Sequence, residues 1–451
     1  VLLAVDWTKK ESRQSFEQSA ESLATKEKES EAFKQTSAIL DELEKEEENL
    51  GREQFDLIRS RRGIMTEIDR EAAEEIAEAK REIQKKKKQI AGNPETIVFA
   101  RMRELLKYQE GLKVGFAETP SRKVVEEWVE EKWRDGKATL LEGPTGTGKT
   151  ELLNHLTRKL YGQNPEIVRS TERTGPSEIF GRVLLKANEA GGTETYFQPG
   201  RVLSAMDKGL PVVFDEFNQL QTNTRFQLKE LYNRRAGDEV VIQEDTGRAH
   251  RIKEGFVFAA TANLKSEKYK ERFELDGAES RVFSMKRVEY MPKEELYDVL
   301  LASLMGKDGQ APISRSEANI TLKNFTDAVE EIQNAYDKTL GNHYGLTDAK
   351  GTKPKLEKAI LDPGAALAIL RGFEASRAEG FSLQAHLEKG LMDFLGKRDY
   401  PDKDRNLMAR ILVAKGFFKD TEAKDFNISG LDDKALAALR PKEEKEKVIK
   451  T

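Results

Sequence analysis

The chain has 451 residues, 35% of them charged and 37% hydrophobic, with 76 basic and 80 acidic side chains giving a formal net charge of only -4. That length accommodates more than one core. The near-neutral balance excludes an overall basic field that would recruit nucleic acid, and the lack of cysteine excludes disulfides, thiolate metal sites and cysteine nucleophiles. The four histidines, His155, His250, His343 and His386, are scattered singly, as packing or surface residues are. No apolar run approaches the ~20 residues of a membrane span. The opening VLLAV is too short for a secretory core segment, so a cytoplasmic protein is expected.

Residues 1–95 read as a charged helical arm. Leu40, Leu43, Leu50, Leu57, Ile64 and Ile68 recur at helical spacing, and Ala72, Ile76, Ala79, Ile83 and Ile90 continue the seam after a shift. The seam is narrow enough for a coiled coil. Unbroken from about Lys28 to Ile90, such a helix would run roughly 95 Å at ~1.5 Å per residue; Gly51 and Gly63 make a hairpin equally compatible. Asn93-Pro94 ends it, and residues 96–135 form a helical lead-in.

From 136 to 291 short apolar runs alternate with amphipathic stretches: ATLLE at Ala138, EIVRST at Glu166, PVVFDEF at Pro211, FVFAATAN at Phe256 and MKRVEYM at Met285. This alternation predicts an α/β domain with a largely parallel, buried sheet. Two further stretches predict hairpins, GRVLLKANEAGGTETYFQPG around Ala-Gly-Gly and DEVVIQEDTGRAHRIKEGFVF around Asp245-Thr-Gly. Residues 292–400 read as an all-helical domain containing a mobile loop at Gly341–Lys355, and 401–451 as a mixed tail with a disordered end.

The chemistry concentrates at Gly143, Pro144, Thr145, Gly146, Thr147, Gly148, Lys149, Thr150 and Glu151. This GxxxxGKT spacing, between a strand and a helix, is a phosphate-binding loop. Its glycines let backbone N–H groups curl around phosphates, Lys149 supplies a compact charge, and the Thr150 hydroxyl is offered to Mg²⁺. PVVFDEFN ends a buried strand in two acids. Asp215 is expected to order the magnesium shell and Glu216 to polarise the attacking water. Asn263 ends the next strand, where an amide can hold that water or sense the γ-phosphate. ATP hydrolysis is the expectation, with ATP and Mg²⁺ as the bound species; no Asn-Lys-x-Asp guanine motif appears.

The order GPTGTGKT, FDEFN, TAN and ESRVF resembles the AAA-plus ATPases, and TGPSEIFG, FQPGRVLSAMDKGLPVVFDEFN and ATANLKSEKYKERFELDGAESRVF resemble their MoxR-like, dynein-related and midasin-like branch. The resemblance spans about Gly115 to Arg377. It implies a P-loop core with a helical lid, Lys149 and Thr150 as the Walker A pair, Asp215 and Glu216 as the Walker B pair, and Asn263 as sensor 1. Arg281 would be the arginine finger reaching a neighbouring copy's nucleotide, with Arg272 the weaker candidate. In the lid helix DPGAALAILRGF, Gly364 stands where the branch commonly places the sensor 2 arginine. Either Arg371, two turns along the expected helix, substitutes for it, or sensor 2 is missing and nucleotide-driven lid closure is weaker.

The resemblance further implies a homo-hexameric ring that remodels or assembles a protein client. The hairpins would face its pore; Arg248, His250, Arg251 and Lys253 then make either a basic pore-side edge of the second hairpin or a solvated turn. A nucleic-acid motor and a slow nucleotide-gated structural protein are the alternatives.

Overall fold

A computed structural model describes residues 31–60, 66–93, 96–187, 192–232, 234–263, 281–306, 311–337, 344–346 and 354–441. It forms two compact units, residues 31–101 with 114–289, and residues 102–113 with 290 onward.

The first unit begins with α1 (Glu31–Ser60) and α2 (Glu67–Gly92). These helices pair antiparallel: Lys80 Nζ donates to Gln54 Oε1 at 2.9 Å, and the Glu47 carboxylate accepts from both Gln84 and Lys87. Leu40, Leu43, Ile76 and Ile83 are buried. Of the two forms open to the sequence, the described residues take the hairpin. Ile68 does not join the seam. It lies in the first turn of α2, behind a Thr66–Asp69 capping box, and is 76% exposed. Ile64 lies outside the described residues.

After α3 (Ile97–Lys113), α4 (Pro120–Arg134) leads into β1 (Thr139–Gly143), α5 (Lys149–Tyr161) and β2 (Glu166–Arg169). A short α6 (Pro176–Ile179) precedes a hairpin of β3 (Gly181–Ala187) and β4 (Thr193–Pro199). Next come α7 (Arg201–Lys208), β5 (Val212–Asp215) and α8 (Thr222–Tyr232). A second hairpin, β6 (Glu239–Ile242) with β7 (Arg248–Arg251), precedes β8 (Phe258–Asn263) and β9 (Ser284–Arg287). Both hairpins and all five apolar runs thus form strands where the sequence predicts them.

The five runs build one parallel sheet in the order β2-β5-β8-β1-β9. Alternate side chains point to opposite faces of a strand, and the core divides accordingly. Leu140, Val212, Phe214, Phe258 and Ala260 pack toward α7 and α8. Leu141, Val213, Val257 and Ala259 pack toward α4 and α5, against Val129, Trp133, Leu152 and Leu156. Phe214 stacks on Phe258 at 4.7 Å, and Phe217, Tyr232 and Phe283 close an aromatic cluster around them. The result is a helix–sheet–helix sandwich whose central strands are buried on both faces.

The second unit contains α9 (Lys293–Leu304), α10 (Lys323–Asp337), α11 (Pro363–Leu370), α12 (Phe373–Ala378), α13 (Leu383–Leu395), α14 (Asp402–Ala414) and α15 (Asp433–Leu439). A single core runs from Leu296 to Leu436. It does not stop at residue 400: Leu407, Met408, Ile411, Phe418 and Leu436 are buried in the same cluster. Most of 341–355 and all of 442–451 lie outside the described residues. No helix among the described residues is long and apolar enough to cross a membrane.

Candidate nucleotide site

The loop after β1 is shaped by backbone geometry that other residues resist. Gly146 and Gly148 have φ values of 82° and 78°, in the left-handed region that glycine enters freely. At Gly143 a Cβ would meet the Val288 carbonyl oxygen at 2.2 Å, so glycine lets β1 run close beside the end of β9. Thr147 Oγ1 donates to the Pro144 carbonyl at 3.1 Å and braces the turn. Thr145 is half-buried, and Glu151 is exposed on the first turn of α5.

Lys149 opens α5 and is 6% exposed. Its ammonium donates to the carbonyls of Gly143 and Pro144 at 3.0 and 2.7 Å and to Asn263 Oδ1 at 2.8 Å. Asn263 in turn donates from Nδ2 to Glu216 Oε1 at 2.6 Å. Lys149, the Asn263 amide and Glu216 are therefore in one chain of hydrogen bonds.

A second chain runs beside it. Asp215 Oδ1 accepts from Thr150 Oγ1 at 2.5 Å and from Thr261 Oγ1 at 2.8 Å. The Glu216 N–H donates to Thr261 Oγ1 at 3.0 Å. Glu216 itself sits at φ 55°, ψ 45°, so the chain turns sharply where β5 ends. The period of two explains the convergence: Asp215 shares a face with Val213, and Thr261 and Asn263 share one with Ala259. That face is the one covered by α5.

Sequence reasoning passed over Thr261 and Asn218. Asn218 is 5% exposed and donates from Nδ2 to the Asn263 backbone carbonyl at 2.9 Å, fixing the end of β8. Each carried a signal, since Thr261 stands two residues before Asn263 on the same strand and Asn218 two after Glu216. The Thr150 hydroxyl and the Asp215 carboxylate are hard oxygen donors in contact, the donor chemistry that Mg²⁺ takes. They fit that ion.

Arg281 lies away from the loop. Ser284 is in register with Thr139, so the chain enters β9 at the end of the sheet opposite the phosphate loop. Arg281, exposed, stands just before that entry, and Phe283 anchors the turn in the aromatic cluster. Arg272 lies outside the described residues. Arg371 belongs to the second unit and does not continue a helical face from Gly364: α11 ends at Leu370, Arg371 is extended at ψ 133°, and Gly372 turns left-handed at φ 85°.

Three histidines have local partners, His155 with Glu118 at 2.6 Å, His250 with Asp245 at 2.8 Å and His386 with Ser376 at 2.9 Å. His343 lies outside the described residues. Glu118, Glu126 and His155 cluster closely enough to suggest a metal, yet the Lys159 ammonium lies 2.9 and 3.4 Å from the two carboxylates and supplies the cation itself. In the second hairpin, His250 is tied to Asp245, while Arg248, Arg251 and Lys253 are exposed.

A parallel sheet with a glycine-rich loop, a buried lysine at a helix start and two acids at the neighbouring strand end defines a P-loop nucleotide-binding domain. Residues 138–281 match the AAA domain of the dynein-related subfamily. Midasin of Giardia intestinalis is 24% identical over 303 residues, 67% of this chain and 5% of that protein. The denitrification regulatory protein NirQ of Pseudomonas aeruginosa is 30% identical over 123 residues, 25% of this chain and 44% of NirQ. The uncharacterized protein YojN of Bacillus subtilis is 28% identical over 173 residues, 38% of this chain and 54% of YojN. The chain thus spans only part of the length of each of these relatives. Its residues 138–281 are similar to the AAA domains of the MoxR-like, dynein-related branch.

Proposed function

We propose that this protein is a ring-forming, Mg-ATP-hydrolysing ATPase, a homo-hexamer that couples hydrolysis to remodelling or assembling a protein client. The observation that carries the reading is the Lys149–Asn263–Glu216 chain of hydrogen bonds beside the Thr150–Asp215 pair. A phosphate-binding cation, an oxygen pair suited to a divalent ion and a carboxylate held by an amide are what hydrolysis of a γ-phosphate needs.

In the proposed reaction a water oxygen attacks the γ-phosphorus while Glu216 accepts the water's proton. The bond from the γ-phosphorus to the bridging oxygen breaks, leaving ADP and inorganic phosphate. Lys149, turning toward the γ-phosphate from the acceptors it holds here, stabilises charge on the transferring group, while Asn263 holds Glu216. Magnesium, held through Thr150 and Asp215, would supply charge neutralisation on the phosphate oxygens.

The position of Arg281 supports a ring. The β9 entry that Arg281 precedes is in register with Thr139, four steps of β1 before Gly143, roughly 13 Å along the strand at ~3.3 Å each. An exposed arginine there serves a neighbouring copy's nucleotide. The two hairpins supply surfaces for gripping a client, and the near-neutral charge favours a protein over nucleic acid.

The test is Glu216→Gln, which keeps size and hydrogen bonding but cannot accept the proton. It should bind Mg-ATP as the native chain does, turn over roughly 10²–10⁴-fold more slowly, and retain a protein client in a pull-down. Normal turnover in this variant would refute the assignment, and stimulation of the native ATPase by DNA would favour the nucleic-acid motor.

A further inference from the structure

We infer that Thr261 is a positioning residue that sets the geometry of both acids, an inference resting on the hydrolytic reading of Asp215 and Glu216. Its side chain is 1% exposed in the middle of the sheet, where a hydroxyl needs a reason. A hydroxyl offers one hydrogen and two lone pairs. The hydrogen goes to Asp215 Oδ1 at 2.8 Å, and a lone pair accepts the Glu216 N–H at 3.0 Å. One oxygen atom therefore holds consecutive residues, one through its carboxylate and the other through its backbone.

The sheet shows why this matters. Ladder pairing between β5 and β8 ends at Phe214 and Ala260. One residue beyond, the strands part, and the Thr261 side chain takes over the role of a backbone acceptor. Glu216 then turns to φ 55°, ψ 45°, the left-handed region that a non-glycine residue enters only at a cost. That turn aims its carboxylate at the Asn263 amide. The same Asp215 oxygen also receives the Thr150 hydroxyl at 2.5 Å, so Thr261 shares a carboxylate with the residue proposed to hold magnesium. Loss of its hydroxyl removes a partner from each acid while leaving Lys149 and the phosphate loop untouched.

Thr261→Val keeps the branched shape and removes the hydroxyl; Thr261→Ala removes both hydroxyl and branch, and Thr261→Ser restores the oxygen. Three quantities are measured on the full chain: ADP affinity in EDTA, the gain in ADP affinity on adding Mg²⁺, and ATP turnover. Thr261→Val and Thr261→Ala should keep metal-free ADP affinity within about twofold. They should lose about tenfold of the Mg²⁺ gain and about 10–100-fold in kcat, as expected for bonds to charged groups. Thr261→Ser should recover most of both.

An unchanged Mg²⁺ gain and kcat in the hydroxyl-free variants would overturn the inference, as would an equal loss of ADP affinity with and without Mg²⁺. If Glu216→Gln hydrolyses ATP normally while Thr261→Val still loses the Mg²⁺ gain, the catalytic reading of Glu216 falls and the positioning of Asp215 stands.

Discussion

Asn263 holds Lys149 and Glu216 at once, accepting from the lysine at 2.8 Å and donating to the glutamate at 2.6 Å. The phosphate-binding charge and the proposed base are thereby linked through one amide. A γ-phosphate that draws Lys149 toward itself withdraws the donor on the Oδ1 side of that amide. Asn263→Ala should lower kcat by about 10–100-fold, the worth of hydrogen bonds to charged groups, with ATP affinity changed less than about threefold. Turnover and equilibrium binding of a fluorescent nucleotide measure the two. Equal losses in both would make Asn263 a binding residue only.

Gly143 tests the packing beneath the site. An added Cβ would lie 2.2 Å from the Val288 carbonyl oxygen, a backbone atom that cannot swing aside. Gly143→Ala should destabilise the P-loop unit by about 1–3 kcal/mol or more, as overpacking does. Nucleotide affinity should fall with it because β1 aims the loop. Native stability and affinity in this variant would show that β9 yields readily.

Glu118 and Glu126 face the same Lys159 ammonium with opposite consequences. Burial alone would raise the Glu118 carboxyl, but the hydrogen bond from His155 and the charge of Lys159 prevail and hold it well below its ordinary 4.5. At Glu126 burial prevails over Lys159 and lifts the carboxyl above 4.5. A depressed carboxyl contributes stability that is present above its unfolded pKa and lost as pH falls through the folded one; a raised carboxyl favours the fold at low pH and loses that contribution as pH rises. Glu118→Gln should therefore lower stability at pH 7 and flatten the acid limb below about pH 5. Glu126→Gln should be neutral or stabilising at pH 8. Thermal unfolding across pH decides, and parallel curves for the two variants would contradict the assignment.

Much of the site was legible because its signals are local. Glycines, lysine and threonine at fixed spacing define the loop, and short apolar runs mark buried strands whatever the tertiary context. Thr261 was equally readable, since the period of two puts it on the face of Asn263, yet a threonine in an apolar strand ordinarily reads as a β-former. Arg371 was misplaced by carrying helical spacing past Leu370, although Arg-Gly at 371–372 is itself a stop signal. The arm left rod and hairpin open because pairs such as Lys80 with Gln54 are tertiary. The boundary at 400 was set where the mixed tail begins, while Leu407, Met408, Ile411 and Leu412 bury a helical face beyond it.

The most direct measurement of a shared active site is ATPase activity in mixed assemblies. Arg281→Ala retains the loop and both acids but removes the exposed arginine at the far end of the sheet; Glu216→Gln retains the arginine but removes the base. Each alone should be nearly inactive, with Arg281→Ala down by about 10³-fold or more and no longer gaining specific activity with protein concentration. Mixed, they should recover a substantial fraction of native turnover, because an intact Glu216 site then meets an intact Arg281 from its neighbour. Mixtures no more active than the sum of the two variants, or an Arg281→Ala chain that hydrolyses ATP at the native rate, would contradict a site completed between copies.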